Sequence, residues 1–332
     1  MAMRRREFVG LTVPFAFVAL GVHGASAFAQ APPEKLKRVG FLAASGAGSG
    51  VDLTPWLAEL GYRDGENIRF EYRFPAGRDD LLPALAADLM QRKVDVIVAS
   101  GLPAIRAAAQ ATQTISVVMI AEGDPVKAGL VVSLARPGRN VTGISVLVPE
   151  LAVKRLEMLK AMVPGLTRVA VLWNPEDPER EEEWRVAKTT ALNLQIELHP
   201  APVRRREELE GAFDEALKAK SNALLVMSGA LVYSQARRIA ALAQEKRLPA
   251  MYPSSYYVDS AQGGLASYGP NLIELSRRAA SFVDRILKGA KPAELAVEQP
   301  TLIEFAINVR AAKAQGIALP PAVLVRADRI VE

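Results

Sequence analysis

Small polar residues recur in this chain directly after short apolar runs. Ser100 precedes Gly101 at the end of one such run, and Asp124 precedes Pro125 at the end of another. Hydroxyl, amide and carboxylate groups at such points hold small polar solutes by hydrogen bonds, and the free N–H groups of a following helix favour a carboxylate. The candidate ligand-binding residues found in this way are Ser45, Ser100, Gly101, Asp124, Asn174, Glu176, Ser228, Gly229, Ser254 and Tyr268.

Asp124 has two compatible interpretations. Because Pro125 suits the first helical position, Asp124 suits the N-cap of a helix over residues 126–134. Its carboxylate would also accept a hydrogen bond from an amino or hydroxyl group of a ligand. The sequence leaves both roles open.

Catalytic groups are scarce. The chain has no cysteine, and His23 lies in the N-terminal segment, which leaves His199 at a predicted surface edge. Neither a G-x-S-x-G elbow nor a Walker-type phosphate loop occurs, and the acidic run at 177–183 is typical of a solvated helix start. We therefore predict that the protein is not an enzyme and has no metal or cofactor.

One alternative comes from the glycine-rich segment at 46–50. Gly46, Gly48 and Gly50 follow a predicted strand, where the fingerprint of a dinucleotide-binding enzyme would lie. Val51 stands where the third glycine of that fingerprint belongs, so the match is partial. An exported nucleotide-cofactor α/β enzyme therefore stays open as the alternative function.

Strands and helices alternate along almost the whole chain after residue 38, and the pattern restarts near residue 148. Repeated βα units with continuous apolar strands predict an α/β fold with parallel sheets covered on both faces. We expect two doubly wound parallel-sheet lobes joined by three crossovers. The predicted N-terminal lobe comprises residues 35–147 and 270–295, and the predicted C-terminal lobe comprises residues 148–269 and 296–332.

The first 29 residues have the features of a signal peptide. A basic start is followed by an apolar stretch and by a small-x-small cleavage site that ends at Ala29. Arg5 and Arg6 resemble the twin-arginine export motif, although a plain Sec signal explains the same residues. We expect cleavage near Ala29 and a periplasmic protein.

The net charge of +5 gives no sign of nucleic-acid binding. The one tight basic cluster, at 204–206, is flanked by Glu207, Glu208 and Glu210. Such mixed charges are typical of a solvated helix start, so we expect no nucleic-acid partner.

Several motifs resemble, in order and spacing, the ABC transporter substrate-binding proteins that have the type I periplasmic binding fold. The strongest is residues 122–145, EGDPVKAGLVVSLARPGRNVTGIS. The others are LGYRDGENI at 60–68, EYR at 71–73, RDDLLPALAADL at 78–89, VDVIV at 94–98, KRLEML at 154–159, VAVLWNP at 169–175, SYGP at 267–270 and ILKGAKP at 286–292.

The resemblance implies a monomer that captures a small molecule between its lobes by hinge closure and delivers it to an ABC permease. Some members of this family bind amino acids, including aromatic ones, so an amino-acid-like ligand is expected. The segment 49–56 is shorter than is usual in the family, which leaves the contribution of Ser45 open. A receptor that presents its ligand to a sensor protein, the identity of the solute and the export route also stay open.

Overall fold

The computed structural model describes residues 36–45, 51–75, 78–146, 148–259, 261–300 and 302–332. The strands are β1 (Lys37–Ala43), β2 (Ile68–Arg73), β3 (Val96–Ser100), β4 (Ser116–Glu122), β5 (Val141–Val146), β6 (Arg168–Trp173), β7 (Glu197–Pro202), β8 (Ala223–Val226), β9 (Ala250–Tyr252), β10 (Ala266–Pro270), β11 (Ile303–Asn308) and β12 (Arg329–Val331). The helices are α1 (Thr54–Glu59), α2 (Leu82–Gln91), α3 (Leu102–Ala111), α4 (Val148–Met162), α5 (Glu179–Asn193), α6 (Leu209–Lys218), α7 (Ala230–Ser234), α8 (Ala236–Glu245), α9 (Leu272–Leu287), α10 (Val309–Gln315) and α11 (Pro321–Leu324).

These strands form two sheets, and each sheet is the centre of one lobe. The first lobe has the order β2-β1-β3-β4-β5, with all neighbours parallel. The second lobe has the order β12-β11-β10-β9-β8-β6-β7, in which β10 and β11 are antiparallel and the other neighbours are parallel. The predicted pair of α/β lobes is confirmed, and the antiparallel pair is a feature that the sequence did not reveal.

Helices cover both faces of each sheet because the strands are apolar on both sides. On β3, Val96 and Val98 face the core that includes Leu57 of α1 and Phe282 of α9. Ile97 and Ala99 point the other way, into a core formed with α2 and α3. The second sheet is covered in the same manner, by α4 and α5 on one face and by α6 and α8 on the other.

The chain passes between the two sheets three times. It leaves the first lobe after β5, returns after β10, and enters the second lobe again before β11. Helix α9 packs against β3, β4 and β5, and the chain after it runs along β5, where the Ser145 N–H donates to the Glu298 carbonyl at 2.9 Å. The residue-level boundaries between the lobes stay a prediction, and Leu147 and Thr301, in two of the crossings, lie outside the described residues.

The predicted helix over residues 126–134 is wrong. The Ala128 N–H donates to the Asp124 carbonyl at 3.0 Å, which closes a single helical turn, and the chain then continues as turns and irregular structure. Gly129 ends that turn with φ +71°, a left-handed conformation that terminates helices. Leu130 and Val131 then bury their side chains in the first lobe instead of continuing a helix.

Smaller differences concern the second lobe. Residues 232–246 have the sequence pattern of one helix, but the chain is divided at Gln235 into α7 and α8. The chain also forms α11 and β12 near its C-terminal end. His199 lies on β7, the edge strand of the sheet, as expected. Within the described ranges, no helix combines the length and the apolarity needed to cross a membrane. The signal segment 1–29 and the glycines at 46–50 lie outside those ranges.

Candidate ligand-binding cleft

A cavity of about 640 Å³ lies between the two lobes, at the carboxyl ends of their strands. Open α/β sheets bind their ligands in this position, and the volume is within the ordinary range for small-molecule sites. Its polar lining comprises Ser45, Asp79, Ser100, Gly101, Arg106, Gln110 and Glu122 from the first lobe, and Asn174, Glu176, Asp177, Arg180, Arg204, Ser228, Gly229, Tyr233 and Ser234 from the second.

The first-lobe wall is built where β1 and β3 end. The Ala44 N–H donates to the Ser100 carbonyl at 3.0 Å, and the Gly101 N–H donates to the Ile120 carbonyl at 3.2 Å. These bonds fix the loop that leads into α3, whose first residues line the cavity. The N-terminal end of a ten-residue helix is thereby directed at the space that a ligand would occupy.

The second-lobe wall is built where β6 and β8 end. The Asn174 side-chain oxygen accepts a hydrogen bond from the Glu176 N–H at 3.0 Å, so Asn174 also stabilises its own turn. Ser228 is buried, and its hydroxyl has no hydrogen-bond partner among the residues that the structure describes. A buried hydroxyl without a partner costs free energy, which a ligand bound in the cleft would recover.

Seven of the ten residues predicted from the sequence line this cavity. They are Ser45, Ser100, Gly101, Asn174, Glu176, Ser228 and Gly229. The rule that ligands lie beyond the carboxyl ends of parallel strands therefore brings these residues together in space. Their contact with a ligand stays a prediction.

The other three predicted residues, Asp124, Ser254 and Tyr268, are not among the residues that line the cavity. The Asp124 carboxylate accepts hydrogen bonds from the N–H groups of the two residues after Pro125, at 2.9 and 3.2 Å. Ser254 is fully buried and caps the short helical turn that follows it. Tyr268 packs against the core of the second lobe. In this structure all three stabilise local structure.

Charged side chains line both walls, and the sequence prediction included few of them. Asp79 and Arg106, from the first lobe, are both exposed to the cavity, and Asp177 lies on the opposite wall. Partial burial and the facing carboxylate of Asp177, together with that of Asp80, raise the pKa of Asp79. The cleft thus has an acidic and a basic side chain of the first lobe exposed to the same cavity.

A buried ion network supports the second-lobe wall. The Glu183 carboxylate accepts from Arg180 and from Arg155, in each case at 2.9 Å. Arg180 also lies 3.3 Å from the carboxylate of Asp177. Burial lowers the pKa of Arg180, but the surrounding carboxylates outweigh burial and raise it, so the guanidinium is charged. The prediction that residues 177–183 form a solvated helix start is therefore wrong for Glu183, which is 1% exposed.

The rest of the cleft is apolar and mostly aliphatic. Its lining includes Val51, Leu82, Leu102, Ile120, Val146, Leu231, Pro270, Leu272 and Leu275, and Tyr233 is its aromatic residue. Among the residues that the structure describes, no group of three or more acidic, histidine or cysteine side chains is placed to hold a metal ion. The arrangement suits a small molecule with an apolar part and two charged ends.

Comparison with known proteins agrees with the family resemblance of the sequence motifs. The family model for ABC transporter substrate binding proteins matches residues 49–331. A tyrosine-binding protein of Clostridioides difficile is similar to this chain, with 28% identity over 259 residues, which is 78% of this chain and 73% of that protein.

Two solved structures are similar over most of the chain. A conserved domain protein from Vibrio cholerae is 28% identical with a TM-score of 0.79, and the match covers 89% of this chain and 100% of that one. An ABC domain from Streptococcus pneumonia, solved in complex with L-Trp, is 25% identical with a TM-score of 0.78, and the match covers 89% and 99% of the two chains.

Proposed function

The chain belongs to the family of ABC transporter substrate-binding proteins, and on this premise we propose that it captures an α-amino acid in the cleft between its lobes. The observation that carries the proposal is the pair of opposite charges exposed to one cavity, Asp79 and Arg106. An α-amino acid presents an ammonium and a carboxylate a few ångströms apart, and each needs a partner when it leaves water.

Each charged end of the ligand has a partner of the right chemistry. A guanidinium binds a carboxylate through two parallel hydrogen bonds, which assigns the ligand carboxylate to Arg106 and the N-terminal end of α3. Asp79 and Asp177 face the cavity from opposite lobes, so an ammonium between them would be held by both. Their mutual repulsion disfavours an empty closed cleft, and a bound cation converts it into attraction.

The apolar lining selects the side chain of the ligand. A mostly aliphatic wall with Tyr233 at one side favours an apolar amino acid, either aliphatic or aromatic. The names of two similar proteins, one tyrosine-binding and one solved with L-Trp, support the aromatic class.

We also propose that the mature protein works as a monomer in the periplasm and delivers its ligand to an ABC permease. The basic and apolar segment that ends at Ala29 supports export, and the family supports the permease partner. Closure of the lobes on the ligand is a population shift driven by contacts with both lobes at once.

The ligand is best identified by native mass spectrometry of the protein purified from its own periplasm, followed by calorimetric titration with the twenty amino acids. Asp79→Asn should weaken binding of the amino acid by about ten- to a hundredfold, since a charge-assisted hydrogen bond is worth roughly 1.5–3 kcal/mol. The same variant should leave binding of the desamino analogue unchanged, because that analogue has no ammonium.

Asp80→Asn is the matched control, since Asp80 pairs with Arg78 at 2.8 Å on the surface and is not a cavity residue. Its affinity for the amino acid should fall far less than that of Asp79→Asn, because Asp80 acts on the cavity only through its charge near Asp79. If Asp79→Asn and Asp80→Asn both bind as tightly as the wild type, the ammonium site is wrong. If no amino acid binds the wild-type protein, the proposed ligand class is wrong.

A further inference from the structure

A hydrogen bond between two side chains joins the lobes across the cleft. The hydroxyl of Tyr233, on α7 of the second lobe, donates to Oε1 of Glu122, the last residue of β4 in the first lobe, at 3.0 Å. Both side chains line the cavity, so the bond lies at the surface where the lobes meet. The contact involves two protein groups and requires no ligand.

The donor is held rigidly in a group of tyrosine rings. The ring of Tyr233 lies 5.4 Å from that of Tyr257, which in turn stacks on Tyr252 at 4.9 Å. Burial and the neighbouring carboxylate of Glu122 raise the pKa of Tyr233, so its hydroxyl keeps its proton. Tyr233 is therefore positioned to donate and Glu122 to accept.

A second link supports the same acceptor residue. Arg180, which is 2% exposed, directs Nη2 at the backbone carbonyl of Glu122 at 3.4 Å. Glu183 holds Arg180 in place, and Glu183 also binds Arg155. The ion network of the second lobe thus determines where Arg180 meets the first lobe.

Arg155 connects this network to a crossing between the lobes. Its Nε donates to the Tyr268 carbonyl at 2.8 Å, and its Nη2 donates to the Pro253 carbonyl at 3.2 Å. Tyr268 lies on β10, two residues before the chain returns to the first lobe. The cross-lobe contact and the crossing are therefore linked through three side chains, those of Arg155, Glu183 and Arg180.

We propose that the Tyr233–Glu122 hydrogen bond, positioned by Arg180, holds the lobes closed in part of the ligand-free population and thereby sets ligand affinity. The apparent dissociation constant is the intrinsic one divided by the populated fraction of the competent state. Tyr233 and Glu122 are then positioning residues through this bond, and loss of the bond weakens binding of every ligand by the same factor. Only the statement on affinity rests on the proposed function.

The test measures the distance between the lobes without ligand. The chain has no cysteine, so Asp80→Cys and Glu207→Cys, both at exposed positions, give one spin label on each lobe for double electron–electron resonance. The wild type should show a short-distance population, and Tyr233→Phe should move most of it to longer distances. In the unlabelled protein, Tyr233→Phe should weaken amino-acid binding by about tenfold.

Two further variants keep the test decisive. Tyr256→Phe is the matched control, because the ring of Tyr256 also lies against that of Tyr257, at 6.1 Å. This variant should leave the distances between the spin labels unchanged. Glu122→Gln keeps a weaker acceptor and should give a distance distribution between those of the wild type and Tyr233→Phe. This variant tests the hydrogen bond independently if Tyr233→Phe proves less stable in a melting experiment. In the double variant the two effects should be less than additive.

Two results would overturn the proposal. One is a ligand-free wild type that shows only the long distance. The other is a Tyr233→Phe variant whose distances between the spin labels are unchanged. If the affinity of that variant nevertheless falls, Tyr233 contacts the ligand directly. Because these distances are measured without ligand, they decide the matter whether or not the protein binds an amino acid.

Discussion

Glu183→Gln should be one of the most destabilising conservative substitutions in the second lobe. The carboxylate of Glu183 lies between the guanidinium groups of Arg155 and Arg180, 2.9 Å from each, and all three side chains are almost completely buried. At an effective dielectric constant near 20, each contact has a Coulomb energy of roughly 6 kcal/mol before desolvation is counted. Glutamine keeps the shape and one acceptor, but it leaves two buried cations without their shared anion.

The expected loss is about 3–5 kcal/mol of unfolding free energy, the usual cost of removing one partner from a buried ion pair. The next residue along α5 provides the control. Glu182 pairs with Arg185 at 2.6 Å, but the two side chains are 49% and 64% exposed, so Glu182→Gln should cost less than about 1 kcal/mol. The two variants differ by one position in the chain and remove the same charge.

Urea unfolding followed by tryptophan fluorescence measures this difference. The chain has three tryptophans, of which Trp56 belongs to the first lobe, while Trp173 and Trp184 stack at 5.3 Å in the second. In a Trp56→Phe background the signal therefore reports the second lobe alone. If Glu183→Gln and Glu182→Gln unfold at the same urea concentration with the same slope, burial does not decide the strength of these pairs.

Two further predictions test backbone geometry and burial. Gly143→Ala should lower stability by about 3 kcal/mol or more, because φ is +131° and an added Cβ would lie 2.3 Å from the Met119 carbonyl oxygen. Gly211→Ala should raise stability by about 0.5–1 kcal/mol, because Gly211 lies in α6 with open space around it. Thermal unfolding followed by circular dichroism should show melting temperatures that shift in opposite directions, and equal shifts would contradict this. Burial raises the pKa values of Tyr252 and Tyr257 above the ordinary 10.0, so their hydroxyls should stay protonated until the second lobe unfolds. Since only the unfolded chain releases these protons, stability should fall as the pH rises above 10. Phenolate absorbance recorded during alkaline unfolding checks this, and a smooth titration of all seven tyrosines before unfolding would refute it.

Much of the fold follows from local patterns in the sequence. The alternation of apolar strands with helices predicts the two α/β lobes that the structure has. At the start of α9 the Asn271 side chain accepts from the Glu274 N–H at 2.9 Å, as an N-cap does. The predicted helix over 126–134 failed because its apolar residues reach the core as irregular chain after Gly129.

The residues of the candidate site that directly follow strand ends could be predicted from the sequence. Those that reach the cleft from other positions, or that depend on contacts between distant segments, could not. Asp79 follows β2, whose end contributed no candidate, and Arg106 lies one turn inside α3. Glu183 belongs to an acidic run whose composition is typical of solvated helices. Its burial depends on Arg155, 28 positions earlier in the sequence, and nothing in the local pattern indicates that contact.

The return of α9 to the first lobe has a consequence for the order in which the molecule can assemble. The first sheet is formed by residues before 147, but one of its faces is covered by α9 and its β5 edge by the segment around Glu298. During synthesis this lobe cannot bury its apolar face until most of the chain has been made. Strands β6 to β10 are contiguous in the chain, but β11 and β12 join the second sheet only from the C-terminal end, after α9. Closing such long loops costs entropy, so both lobes are completed late in synthesis, the first by α9 and the second by β11 and β12.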